Sequence, residues 1–128
     1  MNLHFYRCEV CGKVIAIFSD KGVPTICCGR TMKELIPNKT DGASEKHVPV
    51  FHVDGAKVFV RIGSQPHPME SSHSITWIGL STDKGFQFKE LHPGDCPEAT
   101  FIITDDEHVN GVYALCNLHG LWCNEKEN

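Results

Sequence analysis

From residue 45 onward, apolar and polar positions alternate with the period of two that marks half-buried β-strands. Val58, Val60 and Ile62 alternate with Lys57, Phe59 and Arg61, and the apolar run 48–53 stands on the other side of Asp54-Gly55. A dipeptide of that kind suits a type I′ turn, so 48–53 and 56–62 are predicted to form a hairpin. If Asp54 and Gly55 are the two turn residues, His47 falls opposite Ile62 at the open end of that hairpin. Further strands are predicted at 74–80, 86–91, 100–104 and 112–116, punctuated by Asp83-Lys84-Gly85, by the turn His92 to Asp95 and by Asn110-Gly111. Short strands at this spacing predict an all-β domain over 45–128, an immunoglobulin-like antiparallel sandwich. Neither an internal repeat nor a long amphipathic helix interrupts the pattern.

The first 36 residues read differently. Val14, Ile15, Ile17 and Phe18 are followed by the turn-like Asp20 to Pro24, which is too little apolar surface for a free-standing core. Chains below about 40 residues usually need a metal, disulfides or a partner in order to fold. Residues 37–44, PNKTDGAS, are polar and rich in turn formers, and are expected to link this small domain (1–36) to the sandwich.

Composition points to how the small domain holds together. The 128 residues include 7 cysteines and 8 histidines, with a formal net charge of -4. The charge argues against nucleic acid or an anionic membrane as a partner. No basic stretch followed by an apolar run opens the chain, and no segment reaches the ~20 apolar residues of a membrane span, so a soluble cytoplasmic protein is expected. An odd number of cysteines without an export signal favours metal over a disulfide framework.

Four of the cysteines, Cys8, Cys11, Cys27 and Cys28, lie in the small domain, and a glycine follows each pair at Gly12 and Gly29. Four thiolates can close a tetrahedron around iron or zinc, with glycine letting the backbone bend around the metal. A dithiol redox pair or a vicinal Cys27-Cys28 disulfide would not staple so small a domain. Haem attachment is excluded because Gly12 stands where the motif needs histidine.

In the sandwich the candidate ligands are His47, His67, His73, Cys116 and His119, the last two within CNLHG. A blue-copper site would want a methionine after the final histidine, and none follows His119. Four imidazoles with one thiolate suit a five-coordinate iron with an open position. Glu45 and Lys46, immediately before His47, read as a solvated charge pair or as groups serving that open position. Two other classes compete: a non-catalytic iron or blue-copper electron carrier with a saturated metal shell, and a binding module stapled by zinc.

The spacing CxxC, fifteen residues, CC resembles desulforedoxin, which implies a strained iron site with four cysteines. EKHVP, HPM with the spaced His73, and CNLHG together resemble the superoxide reductases, and with the cysteine module upstream they resemble the two-iron desulfoferrodoxins. The resemblance implies two iron ions per chain, one in a rubredoxin- or desulforedoxin-like domain held by Cys8, Cys11, Cys27 and Cys28. The other would be ligated by His47, His67, His73 and His119 around the metal and by Cys116 on its axis. It further implies a catalytic role for Glu45, as a ligand to ferric iron at the open position, and for Lys46, as the cation that guides superoxide. The implied reaction is one-electron reduction of superoxide to hydrogen peroxide by a homodimer supplied by a rubredoxin-like donor. Ser74 stands where the family commonly has an aromatic residue. Cys96, Cys123, His4, His52, His92 and His108 fit no motif, and Trp77 and Trp122 are expected to fill the core, with shielding of the iron as the alternative.

Overall fold

The computed structural model describes residues 3–39 and 43–127 and divides into two compact units, 2–36 and 37–128 with Met1. In the first unit, β1 (His4–Arg7) pairs antiparallel with β2 (Val14–Ile17) and β5 (Lys33–Glu34), while β3 (Ile26–Cys27) and β4 (Arg30–Thr31) form a separate two-stranded ladder. Leu3, Phe5, Cys8 and Met32 are its buried side chains among the described residues. The β1–β2 hairpin and the β3–β4 hairpin each close over one cysteine pair, so the strands serve to bring two loops together. Of the linker expected at 37–44, residues 40–42 lie outside the described residues. Asn38 does not behave as a free connection: its backbone N–H donates to Leu121, and its side chain both accepts from and donates to the backbone of Cys123.

The second unit is an antiparallel sandwich, as the pattern predicted, built from seven strands. One sheet runs β10 (Glu98–Ile102), β7 (Lys57–Ile62), β6 (Pro49–Asp54); the other runs β12 (Gly120–Asn124), β11 (Val109–Cys116), β8 (Ile75–Thr82), β9 (Phe86–Glu90). The inward positions of the two sheets, Val58, Val60, Ile62, Ile75, Ile78, Leu80, Phe101, Val112 and Ala114 among them, form one continuous apolar core. Burying side chains of this size contributes about 1.5–3 kcal/mol each, and their alternation with exposed partners fixes which face of every strand turns inward.

Four expectations need correction. The hairpin turn is Gly55-Ala56 rather than Asp54-Gly55: Asp54 pairs with Lys57 and Pro49 with Ile62. Gly55 takes the first turn position at φ 60° and Ala56 keeps a negative φ, the requirement of a type II′ turn. The slip moves each pairing by two residues, so the core face is unchanged. Residues Ser44–His47 form one helical turn, α1, rather than β structure, and His47 therefore precedes β6 instead of facing Ile62. Asn110-Gly111 is not a turn but part of β11, at a register shift opposite β8. Strand β12, which the alternation pattern did not mark, follows CNLHG directly and pairs Gly120 with Cys116.

Candidate metal centres

In the first unit, Cys8 and Cys11 sit on a loop closed by Cys8 N–H to Lys13 O (2.9 Å) and Gly12 N–H to Cys8 O (3.0 Å). Gly12 turns through φ 81°, where a side chain would be strained. The adjacent cysteines reach the same point differently: Cys28 itself adopts φ 54° and Gly29 follows at φ 72°. A left-handed conformation at a non-glycine residue costs about 1–2 kcal/mol, so the strain expected of neighbouring cysteine ligands resides in the backbone. The result is four sulfurs within 4.8 Å of one another, with Cys11 Sγ 3.8 Å and Cys28 Sγ 4.0 Å from Cys27 Sγ. A tetrahedron with metal–sulfur bonds of about 2.3 Å has edges of about 3.8 Å. Backbone N–H groups of Cys11 and Val10 pull the Cys8 thiol down to about 6, whereas side-chain hydrogen bonding to the sulfurs of Cys11, Cys8 and Cys27 favours the protonated form of Cys28 and pushes it up to about 12. Four thiols packed this closely cannot all ionise without a cation among them, which is the behaviour of a metal site. None of the seven cysteines is in a disulfide.

The sandwich builds its cluster at one end. His47 comes from α1, His67 from the β7–β8 loop, His73 from the residues entering β8, Cys116 from the end of β11 and His119 from the β11–β12 loop. One ligand atom from each of His47, His67, His73 and Cys116 lies within 4.8 Å of the others. His119 joins them: its Nδ1 is 3.0 Å from His47 Nε2 and 3.8 Å from Cys116 Sγ. His47 Nδ1 donates to Ala43 O at 2.7 Å and His67 Nδ1 to Pro68 O at 2.6 Å, which turns both Nε2 lone pairs toward the cluster. Backbone carbonyls in this role fix tautomer and ring orientation for a metal. The Nε2 atoms of His67 and His73 are buried without a hydrogen-bond partner. Orphaned buried acceptors cost about 1–3 kcal/mol each, so two of them aimed at one point next to a thiol fit a metal ion. Burial drives His47 and His73 below the ordinary imidazole value and His67 down to about 4, leaving neutral rings as a metal requires. Burial raises the Cys116 thiol, opposed by the N–H groups of His119 and Leu118.

Three supports escaped the sequence reading. Asn117 clasps two ligand loops: its Oδ1 accepts from Ser74 N–H (2.9 Å), its Nδ2 donates to Ser72 O (3.0 Å), and its backbone N–H donates to Ser74 O (3.1 Å). Its place between Cys116 and His119 was the available signal. Trp122, expected to fill the core or to shield the iron, stacks on His47 with centroids 4.8 Å apart and donates Nε1–H to His119 O at 3.0 Å. Gly63 (φ 77°) lies against α1 so closely that a Cβ would stand 2.6 Å from Glu45 O and 2.7 Å from Lys46 C. Trp77 instead meets Phe88 edge to face. Glu45 and Lys46 are exposed on the helical turn that carries His47. His4, His52, His92 and His108 are exposed and each pairs with a carboxylate.

A family model described as desulfoferrodoxin matches residues 39–125, and one described as the desulfoferrodoxin N-terminal domain matches 2–35. The chain belongs to the desulfoferrodoxin family. It is 44% identical to a desulfoferrodoxin of Nitratidesulfovibrio vulgaris, covering 91% of each chain, and 41% identical to a desulfoferrodoxin homolog of Archaeoglobus fulgidus, covering 94% of each. A superoxide reductase from Treponema pallidum, solved as a crystal structure, is 36% identical and superposes with a TM-score of 0.81, covering 97% of this chain and 99% of its own. With the family in hand, the two clusters are its two iron sites: one of four cysteines, the other of histidines with Cys116. Among the described residues no helix is long and apolar enough to cross a membrane.

Proposed function

We propose that this desulfoferrodoxin is a superoxide reductase: superoxide, one electron and two protons give hydrogen peroxide at the histidine and cysteine iron site. The observation that carries the reading is the set of buried, partnerless imidazole nitrogens converging beside the Cys116 thiol. Iron held there supplies the one-electron chemistry by cycling between its ferrous and ferric states. His47, His67, His73 and His119 are assigned as the nitrogen donors that would hold it and Cys116 as the sulfur donor, whose thiolate would supply electron density to the metal.

The remaining tasks fall to the polypeptide. Superoxide is an anion and the chain is net negative, so a local cation must offset an unfavourable field. Lys46, exposed and close enough to act on His73, takes that role. Glu45, on the same helical turn, is assigned as the carboxylate that would bind the iron in its ferric state. Trp122 covers one face of His47 and keeps water from it.

Electrons come from a rubredoxin-like carrier, the assembled form is a homodimer, and the compartment is the cytoplasm. Phe18 (72% exposed) and Val23 (75% exposed), on the β2–β3 loop, support a partner chain there. The domains are assigned as 1–36, a joining segment 37–44, and 45–128. Elemental content of protein purified from its host without added metal, followed by pulse radiolysis of the reduced form, tests the function. Two irons per chain and second-order consumption of superoxide support it; copper, or zinc without iron, overturns it.

A further inference from the structure

Charge is divided unevenly between the two units. Residues 2–36 hold five cations, Arg7, Lys13, Lys21, Arg30 and Lys33, against three carboxylates, a net of +2; the rest of the chain holds seven against thirteen, a net of −6. Three of these cations, Arg7, Lys13 and Arg30, stand at the loops that carry the cysteines. Cys11 and Cys28 are exposed, and each is followed by a left-handed glycine and then by an exposed cation, Cys11-Gly12-Lys13 and Cys28-Gly29-Arg30. Arg7 brings Nη2 to within 3.9 Å of the place a Cβ on Gly12 would occupy. The carboxylate nearest this edge in sequence, Glu9, is matched by Lys33 at 3.7 Å. Val10 (56% exposed) and Ile26 (60% exposed) add apolar surface to the same two loops. Exposed metal-bound sulfur inside an apolar and cationic collar is suited to brief docking of a negatively charged redox protein.

We propose that this edge of the four-cysteine unit is the docking face for an acidic one-electron carrier protein, which there reduces the iron held by Cys8, Cys11, Cys27 and Cys28. The inference rests on the two-iron reading above. The carrier loses one electron and the ferric site gains one; no bond forms and no proton moves. Four thiolates around ferric iron add −1 to the unit and around ferrous iron −2, so the loaded unit goes from +1 to 0 on reduction. Electron arrival thus weakens the attraction that brought the carrier.

The test is anaerobic titration of the full two-iron protein with a fluorescently labelled rubredoxin of net negative charge, at low salt. Lys13→Glu with Arg30→Glu should weaken binding by about tenfold or more, Lys13→Gln with Arg30→Gln by an intermediate factor, and Lys57→Glu in the sandwich by less than about twofold. The oxidised protein should bind the carrier more tightly than the reduced one. Should the reversed pair lose the four-cysteine chromophore, the glutamine pair decides. Affinity unmoved by the glutamine and glutamate pairs, or weakened equally by Lys57→Glu, overturns the proposal. Superoxide consumption by the pre-reduced wild type is measured separately, and its absence counts against the enzymatic reading alone.

Discussion

Gly63 holds the turn that carries three functional residues, and replacing it with alanine should show how tightly that turn is fixed. Its N–H donates to Val48 O at 3.0 Å, and the neighbouring Gln65 N–H donates to Glu45 O at 2.9 Å, so the β7–β8 loop clasps α1 at both ends. An alanine Cβ would lie 2.6 Å from Gln65 O, 2.6 Å from Glu45 O and 2.7 Å from Lys46 C, all backbone atoms. None can swing aside as a flexible side chain would. The left-handed φ costs about 1–2 kcal/mol for a residue with a Cβ, and forced overpacking about 1–3 kcal/mol more. Their sum, about 3 kcal/mol, corresponds to a fall in Tm on the order of 15 °C for a unit of this size. Both tryptophans, Trp77 and Trp122, lie in the sandwich, so fluorescence melting of the iron-loaded protein follows this unit alone. Because α1 presents His47, the absorption of the histidine and cysteine iron should weaken while that of the four-cysteine iron stays. A Tm within about 1 °C of wild type and an unchanged spectrum would refute the clasp.

Three further outcomes are expected. Lys46→Ala should slow the reaction with superoxide several-fold, on the order of one removed steering charge, and flatten its dependence on salt; pulse radiolysis across ionic strength checks both. Cys116→Ser should abolish the visible chromophore of the sandwich iron and leave the four-cysteine spectrum intact, as read by absorption spectroscopy. Glu107 accepts hydrogen bonds from the Thr82 hydroxyl and from Thr104 N–H (3.1 Å), which hold its carboxyl below the ordinary 4.5. A depressed folded value adds stability above pH 4.5 that is lost as pH falls through the folded value. Glu107→Gln should therefore lower Tm at pH 7 by a margin that shrinks below pH 4.5; a margin independent of pH contradicts the assignment.

The sequence by itself determined the donor sets and the faces of the strands. Cysteine spacing in the first 36 residues and the alternation at 57–62 are local facts: a CxxC turn and a period of two each carry their geometry within a few residues. That is why Val58, Val60 and Ile62 were legible as core and the four thiols as one site. What tertiary structure decided is everything that depends on residues far apart in sequence. The hairpin register turned on whether Gly55 takes the first or second turn position, a choice the alternation cannot make because both registers keep the same core face. His47 reached the cluster from a helical turn that alternation could not reveal, since α1 exists because the β7–β8 loop, with no side chain at Gly63, can close against it. Asn117 and Trp122 gained their roles only when β11 and β12 paired beside His73 and His47. Local chemistry names the ligands, but only the packed chain sets the partners that aim them, because those hydrogen bonds and stacking contacts join segments up to 75 residues apart, from His47 to Trp122.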